Sequence, residues 1–409
     1  MEDAEISWII ENSDRVVNET DTSYHRALFK SIDWNERLIC LKGARGVGKT
    51  TLMKQYVKEN FGVGNRVALF VSLDAFWFET HNLVDVADWH WKHGGKILLV
   101  DEVHQHAAWP TLIKTIYDSY PSLKIVYSGS SLLRLDRDGA DLSRRQMTYE
   151  LPGLSFREYL AFEGICDCPA VTLENLLSDH VRLAAEVCSS LRILEPFGKY
   201  LRHGYYPFYK ESISNRLQES GYYAKLRQVV GQVLEVDYPK IEEVTVGTIR
   251  KARKMLMVLA ESVPQTPKMS KLYQELETDR IQGLKILQAL ERAGLMGLVS
   301  DESATLKNLS RPDKIYLNNT NLMCALSRDV EIGCVRETFF LNQLRAARYD
   351  VTYPKTGDFM VEGKFLFEVG GPGKTFEQIK DIPDSFVAND GVETTRGNKI
   401  PLWLFGFLY

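Results

Sequence analysis

Eight consecutive residues, Gly43-Ala44-Arg45-Gly46-Val47-Gly48-Lys49-Thr50, carry the spacing GxxxxGK[ST]. Glycines so placed let successive backbone N–H groups curl around a phosphate; a lysine then reaches the outer oxygens, and the next hydroxyl suits magnesium. Further along, Lys96-Ile97-Leu98-Leu99-Val100-Asp101-Glu102 ends an apolar run in two carboxylates. Asp101 is suited to hold magnesium, directly or through water, and Glu102 to polarise an attacking water. The expected chemistry is ATP binding and hydrolysis with Mg2+. Gly43, Ala44, Arg45, Gly46, Val47, Gly48, Lys49, Thr50 and Thr51 contact the nucleotide, and Thr50 and Asp101 hold the metal. A third run, Lys124 to Ser131, ends in small hydroxyl residues. Ser128 there would lie beside Asp101 and sense the γ-phosphate or fix the lytic water, although Ser-Gly-Ser is also an ordinary turn.

These side chains need a scaffold that brings loop ends together. The apolar LICL precedes the glycine loop and the helix-compatible KTTLMKQYVKEN follows it. Strand-like runs from Arg37 to Lys42, Arg66 to Ser72, Lys96 to Asp101 and Leu123 to Ser128 alternate with helical patterns. Continuous apolar strands separated by amphipathic helices predict a doubly wound parallel sheet covered on both faces, an α/β fold. A helix N-terminus behind the glycine loop adds a favourable field for anions.

The 409 residues suggest two to three domains. With 44% hydrophobic and 25% charged residues the chain is neither disordered nor of low complexity. Fifty basic and 54 acidic residues leave a net charge of -4, so no global basic field holds nucleic acid or an anionic membrane. Six scattered cysteines form no CxxC pair and no zinc spacing, which fits a reduced, cytoplasmic compartment. No apolar run reaches membrane-spanning length, and the acidic MEDAEISWII is no signal peptide. The apolar IPLWLFGFLY suits a buried terminal strand.

GARGVGKTTL, ILLVDEVHQHAAWP, IVYSGSS and LPGLSFREYL, in that order, resemble the bacterial and archaeal AAA-type P-loop ATPases with a C-terminal domain like a PD-(D/E)xK nuclease. The resemblance covers most of the chain and is strongest over residues 36 to 165. It implies an N-terminal helical extension (1–35), a P-loop core (36–150), a helical lid (151–255), a winged helix (256–328) and a restriction-endonuclease-like α/β domain (329–409). Members usually carry Gly-Arg shortly before LPxLSFxE. Here the dipeptide is Arg144-Arg145, so Arg145 is the arginine that could contact the γ-phosphate in cis or from a neighbouring subunit, a solvated ion pair being the alternative. Ser155-Phe-Arg-Glu158 reads as a helix capping box.

The segment after Lys268 has helical apolar spacing (Leu272, Leu276; Ile281, Leu284, Leu287, Leu290), with Gly294 as a stop. Arg280, Gln282, Lys285, Gln288 and Arg292 would face outward, where related modules read the major groove. From Ser262 to Ile315, however, eight basic residues face seven acidic ones, so protein contact or internal packing is favoured over DNA. Tyr205, Tyr206, Phe208 and Tyr209 read as core packing. His90, His93, His104 and His106 only superficially resemble a metal set, and His104 and His106 are expected beside the nucleotide or in solvent.

Near the end, a hairpin centred on Gly363 would place Asp358 opposite Glu368, with carboxylates on one face and Cβ atoms about 5 Å apart. Like charges there call for a cation, and Glu337 would be a third acidic ligand. The lysine that a PD-(D/E)xK nuclease needs two residues after Glu368 is Gly370, with Lys374 as a substitute of unknown placement. A degenerate nuclease scaffold is therefore expected over an active one. Three functions remain open: a regulatory ATPase switch with a protein partner or a homo-oligomeric state, an ATPase acting on DNA, and an ATP-controlled nuclease.

Overall fold

The computed structural model describes residues 3–131, 142, 144–214, 219–241, 243–262, 269–301, 312–327 and 329–409. The chain divides into two compact units, Met1–Pro152 with Glu235–Val244, and Gly153–Leu234 with Thr245–Tyr409. Residues 235–244, within the span expected as a lid, group with the first unit.

The first unit opens with helix α1 (Asp3–Asn18), whose Ile6 and Ile9 enter the core. Then follow β1 (Leu38–Gly43), α2 (Lys49–Asn60), β2 (Ala68–Ser72), α3 (Leu83–Lys92), β3 (Ile97–Asp101), α4 (Trp109–Ser119), β4 (Lys124–Ser130) and β5 (Met147–Glu150). They form a five-stranded sheet in the order β2-β3-β4-β1-β5, with every neighbour parallel. Four strands lie within two residues of their expected bounds. β3 is buried throughout, as a central strand covered on both faces must be. β5 has no such signature, since Met147, Thr148 and Glu150 are exposed on the sheet edge.

The order has one decisive consequence. β4 lies between β1 and β3, so the ends of three strands line one sheet edge: the glycine loop after β1, Ser128 on β4, and Asp101 on β3. Carboxyl ends of parallel strands are where ligands gather in such sheets.

In the second unit, α5 (Phe156–Phe162) begins with the expected capping box, Ser155 and Glu158 each bonding the other's backbone N–H. Next come α6 (Leu173–Cys188), α7 (Glu219–Gln232), α8 (Val246–Ser262), α9 (Met269–Glu275) and α10 (Arg280–Arg292). An antiparallel pair, β6 (Met296–Val299) and β7 (Lys314–Leu317), follows; residues 302–311 between them lie outside the described residues. Tyr205, Tyr206 and Tyr209 are buried, in line with packing. On α10 the buried face is Gly283, Ile286, Leu287, Ala289 and Leu290, while Ile281 is 71% exposed. Asp279 caps the helix at Gln282, and this start sets Ile281 off the core stripe that the apolar spacing assigned it to. Gln282 and Arg292 are accordingly half-buried, not outward-facing.

After α11 (Thr320–Leu326) and α12 (Ile332–Ala346) comes a second five-stranded sheet: β8 (Val351–Thr352), β9 (Phe359–Val361), β10 (Phe365–Gly370), β11 (Ser385–Asn389) and β12 (Lys399–Pro401), in the order β12-β11-β10-β9-β8. β9 and β10 form the expected hairpin, with Phe359 opposite Phe367, so Asp358 and Glu368 fall opposite one another. Glu362 and Gly363, both at positive φ (55° and 59°), make a turn whose twist matches the strands. The terminal apolar run is buried but is not a strand: past Pro401, Leu402–Phe407 coil into a 3-10 helix. Cys166 and Cys168 are joined in a disulfide, which the reading of a reduced compartment did not anticipate. Their C-x-C spacing, with Cα atoms 5.8 Å apart, falls outside the CxxC and zinc patterns.

Candidate active site

Between β1 and α2 the loop takes left-handed turns at Gly46 (φ 86°) and Gly48 (φ 100°), which side chains rarely tolerate. Gly43 is required for a different reason: a Cβ there would lie 2.4 Å from the carbonyl oxygen of Leu151. Gly43→Ala is expected to lower stability by about 1–3 kcal/mol through this overpacking, read as a shifted urea midpoint; an unchanged midpoint would refute the fit.

Lys49 is buried, and its Nζ donates to the carbonyl oxygens of Gly43 (2.9 Å) and Ala44 (3.1 Å). Burial lowers its pKa, with the charges of Glu102 and Asp101 acting against that. Thr50 Oγ1 donates to Asp101 Oδ2 at 2.6 Å, and Ser128 Oγ donates to Asp101 Oδ1. The backbone N–H of Glu102 donates to Ser128 Oγ at 3.3 Å. Glu102 itself has φ 53°, an uncommon conformation for a non-glycine residue. Burial, then the charge of Asp101, raises the pKa of its carboxyl.

Lys49, Thr50, Asp101, Glu102 and Ser128 thus fall together as the sequence requires. Residues suited to phosphate and to a hard cation converge here: backbone N–H groups and an ammonium for the first, a hydroxyl and a carboxylate 2.6 Å apart for the second.

Arg145 does not join them. Its guanidinium pairs with Asp118 and lies 5.7 Å from the Tyr117 ring, in the last turn of α4. That turn leads into the start of β4, and β5 starts at Met147, so Arg145 sits at the edge where strands begin. The glycine loop is at the edge where they end, which corrects the expectation of contact with the γ-phosphate of its own chain.

Two residues without a motif hold the loop. Arg26 is buried and donates to the carbonyls of Val47 (2.7 Å) and Pro152 (2.9 Å). Asp237, from the segment that returns to this unit, is buried and pairs with Arg45 at 3.3 Å. His104 Nε2 lies 3.3 Å from Glu102 Oε2 and 3.5 Å from Asp237 Oδ1. The other histidines serve packing: His90 Nε2 bonds the Ile97 carbonyl, and His93 stacks on Trp89.

At the β9–β10 hairpin, lysines occupy the place expected for a cation. Lys314 Nζ lies 3.3 Å from Glu337 Oε2 and 3.8 Å from Asp358 Oδ1, Tyr316 donates to Glu337 at 2.7 Å, and Lys374 pairs with buried Glu368. Burial raises the pKa of Glu337, and Lys314 opposes it. Among the described residues no three of His, Cys, Asp or Glu form a metal-holding group. A side chain at 370 would meet that of Lys374, its Cβ lying 2.7 Å away.

Residues 35–160 match the family model described as "AAA domain". This stretch is an AAA-type domain. Residues 194–331 match a domain of unknown function, DUF8612. The uncharacterized protein MJ1637 of Methanocaldococcus jannaschii is 27% identical over 389 residues, covering 87% of this chain and 80% of its own. Similar solved structures include C. elegans PCH-2 (18% identity, 42% of this chain, 48% of that one, TM-score 0.24). Katanin (16%, 39% and 57%, TM-score 0.25) and the S. cerevisiae Hsp104-ADP complex (17%, 70% and 39%, TM-score 0.27) are further examples. The chain spans about half the length of PCH-2 and less of Hsp104. Among the described residues no helix is long and apolar enough to cross a membrane.

Proposed function

We propose that the AAA-type domain binds Mg-ATP and hydrolyses it, serving as a nucleotide-driven regulatory switch. The observation that carries this reading is the convergence of Thr50, Ser128 and Asp101 at the mouth of the glycine loop. Magnesium, when bound, would neutralise charge on the phosphates; Thr50 and Asp101 would hold it. Lys49 and the loop amides bind phosphate oxygens. Glu102 accepts a proton from the attacking water, and Ser128 registers the γ-phosphate. A switch turns over slowly until a partner binds, so the test is steady-state ATP turnover by the full chain. Absence of any turnover with magnesium would reject the reading. Arg145, remote from its own loop, would serve a neighbouring copy in a homo-oligomer.

For the second unit we read α8, α9, α10, β6 and β7 as a winged helix, from their order, and the terminal sheet as a nuclease-like scaffold without chemistry. Balanced charge across residues 262–315 favours protein contact over DNA. Turnover measured at low salt with single- and double-stranded DNA is expected not to rise; stimulation that salt abolishes would favour a DNA-acting ATPase. Neither Mg2+ nor Mn2+ is expected to support DNA cleavage, because ammonium groups take the cation's place beside Glu337, Asp358 and Glu368. Cleavage that disappears in both Asp358→Ala and Glu368→Ala would overturn that.

A further inference from the structure

The AAA-type domain is completed by a segment from far along the chain, Glu235–Val244. Its Asp237 carboxylate has no exposed side-chain surface, a setting an aspartate occupies only when paired. Burial acts to raise its pKa, but His104 and Arg45 more than offset this and hold it low. Lys240 of the same segment contacts the Gln105 side chain, so two consecutive residues after Glu102 and Val103 are met by this segment.

His104 is the link. It is 3% exposed, and its Nε2 faces two carboxylates, Glu102 at 3.3 Å and Asp237 at 3.5 Å, with the Gln105 amide nitrogen 3.4 Å away. Only the tautomer with the proton on Nε2 can donate to either acid, and in that tautomer the Gln105 amide nitrogen is a neighbour of the ring and not a hydrogen-bond donor to it. Its Nδ1 is buried without a hydrogen-bond partner among the described residues, leaving the ring no other polar anchor. A histidine whose orientation is fixed by a buried aspartate is a recurrent way of holding a catalytic group.

We propose that Asp237 is a positioning residue for hydrolysis: it fixes the imidazole of His104, and His104 fixes the carboxylate of Glu102 where an attacking water is polarised. Arg45, paired with Asp237, ties the same network to the glycine loop. The inference rests on the ATPase reading above and goes beyond it, since it names a residue that touches neither phosphate nor metal.

The test is a double-mutant cycle on the full-length protein, with turnover at saturating ATP and the affinity for a fluorescent ATP analogue measured separately. Asp237→Asn, isosteric and without charge, is expected to lower kcat about tenfold while affinity stays within about threefold. His104→Ala should do the same. On the His104→Ala background Asp237→Asn should cost less than about twofold more, because it acts through the missing ring. Losses that multiply, or a loss of affinity with kcat intact, would show a merely structural or binding role and overturn the proposal. Should Asp237→Asn fail to fold, His104→Ala still decides: unchanged kcat in that variant rejects the relay. A wild-type protein without turnover removes the ATPase reading and this inference together, whereas normal turnover in both single variants removes this inference alone.

Discussion

Replacing Glu102 by glutamine lowers the ATP turnover number by about 10²–10⁴-fold, the range for loss of a positioned general base, and leaves ATP binding nearly unchanged. The amide keeps the shape of the carboxylate and its place beside His104, but it cannot take a proton from water. Glu102 sits immediately after the end of β3, in a left-handed conformation that its neighbours hold, so its side chain has little freedom to be replaced by another acid. Asp101 is committed to Thr50 and Ser128. Undiminished turnover in Glu102→Gln would sink the site assignment. The informative pairing is turnover with a filter-binding or fluorescence measurement on the same sample, because a trapped ATP state separates loss of chemistry from loss of the nucleotide.

Lys49→Ala has the opposite signature: binding itself is lost. The ammonium is buried against the carbonyls of Gly43 and Ala44, already desolvated and ready to exchange those partners for phosphate oxygens. Hydrogen bonds to charged groups contribute about 1.5–3 kcal/mol each, so affinity should fall at least about tenfold and by more than a hundredfold if two contacts go. Removing the side chain also relieves an energetically costly buried charge, so thermal stability in the absence of nucleotide should hold or rise. A variant that binds ATP normally would refute the role of the loop, whatever its turnover.

The parts of this arrangement that could be read from sequence share a local cause. A glycine loop works through backbone conformation over eight residues, and β3 announces itself because a strand buried on both faces must be apolar throughout. The hairpin register from Asp358 to Glu368 was legible because one turn centre fixes every pairing after it. What escaped depends on distance or on a weak pattern. β5 is an exposed edge strand with no apolar run. Arg26 and Asp237 act through carbonyls and charges supplied by residues remote in the chain, and neither lies in a motif. The face of α10 was misassigned at Ile281 because spacing identifies a stripe only after the capping residue has set the phase. Arg145 has the right distance from LPGLSFREYL, yet linear distance carries no information about which edge of a sheet it reaches. For the terminal acids, the chemistry turns on Lys314 and Lys374, whose placement beside Glu337, Asp358 and Glu368 follows from tertiary packing alone.

The return of Glu235–Val244 to the first unit also sets a timetable for synthesis. A ribosome that has just added Pro152 has made every strand of the first sheet, and at ordinary elongation rates roughly ten seconds more pass before Asp237 and its neighbours emerge. During that interval Arg45 and His104 lack the carboxylate of Asp237. The nascent domain must wait without Asp237, and of the second unit only Gly153–Leu234 precedes that segment out of the exit tunnel.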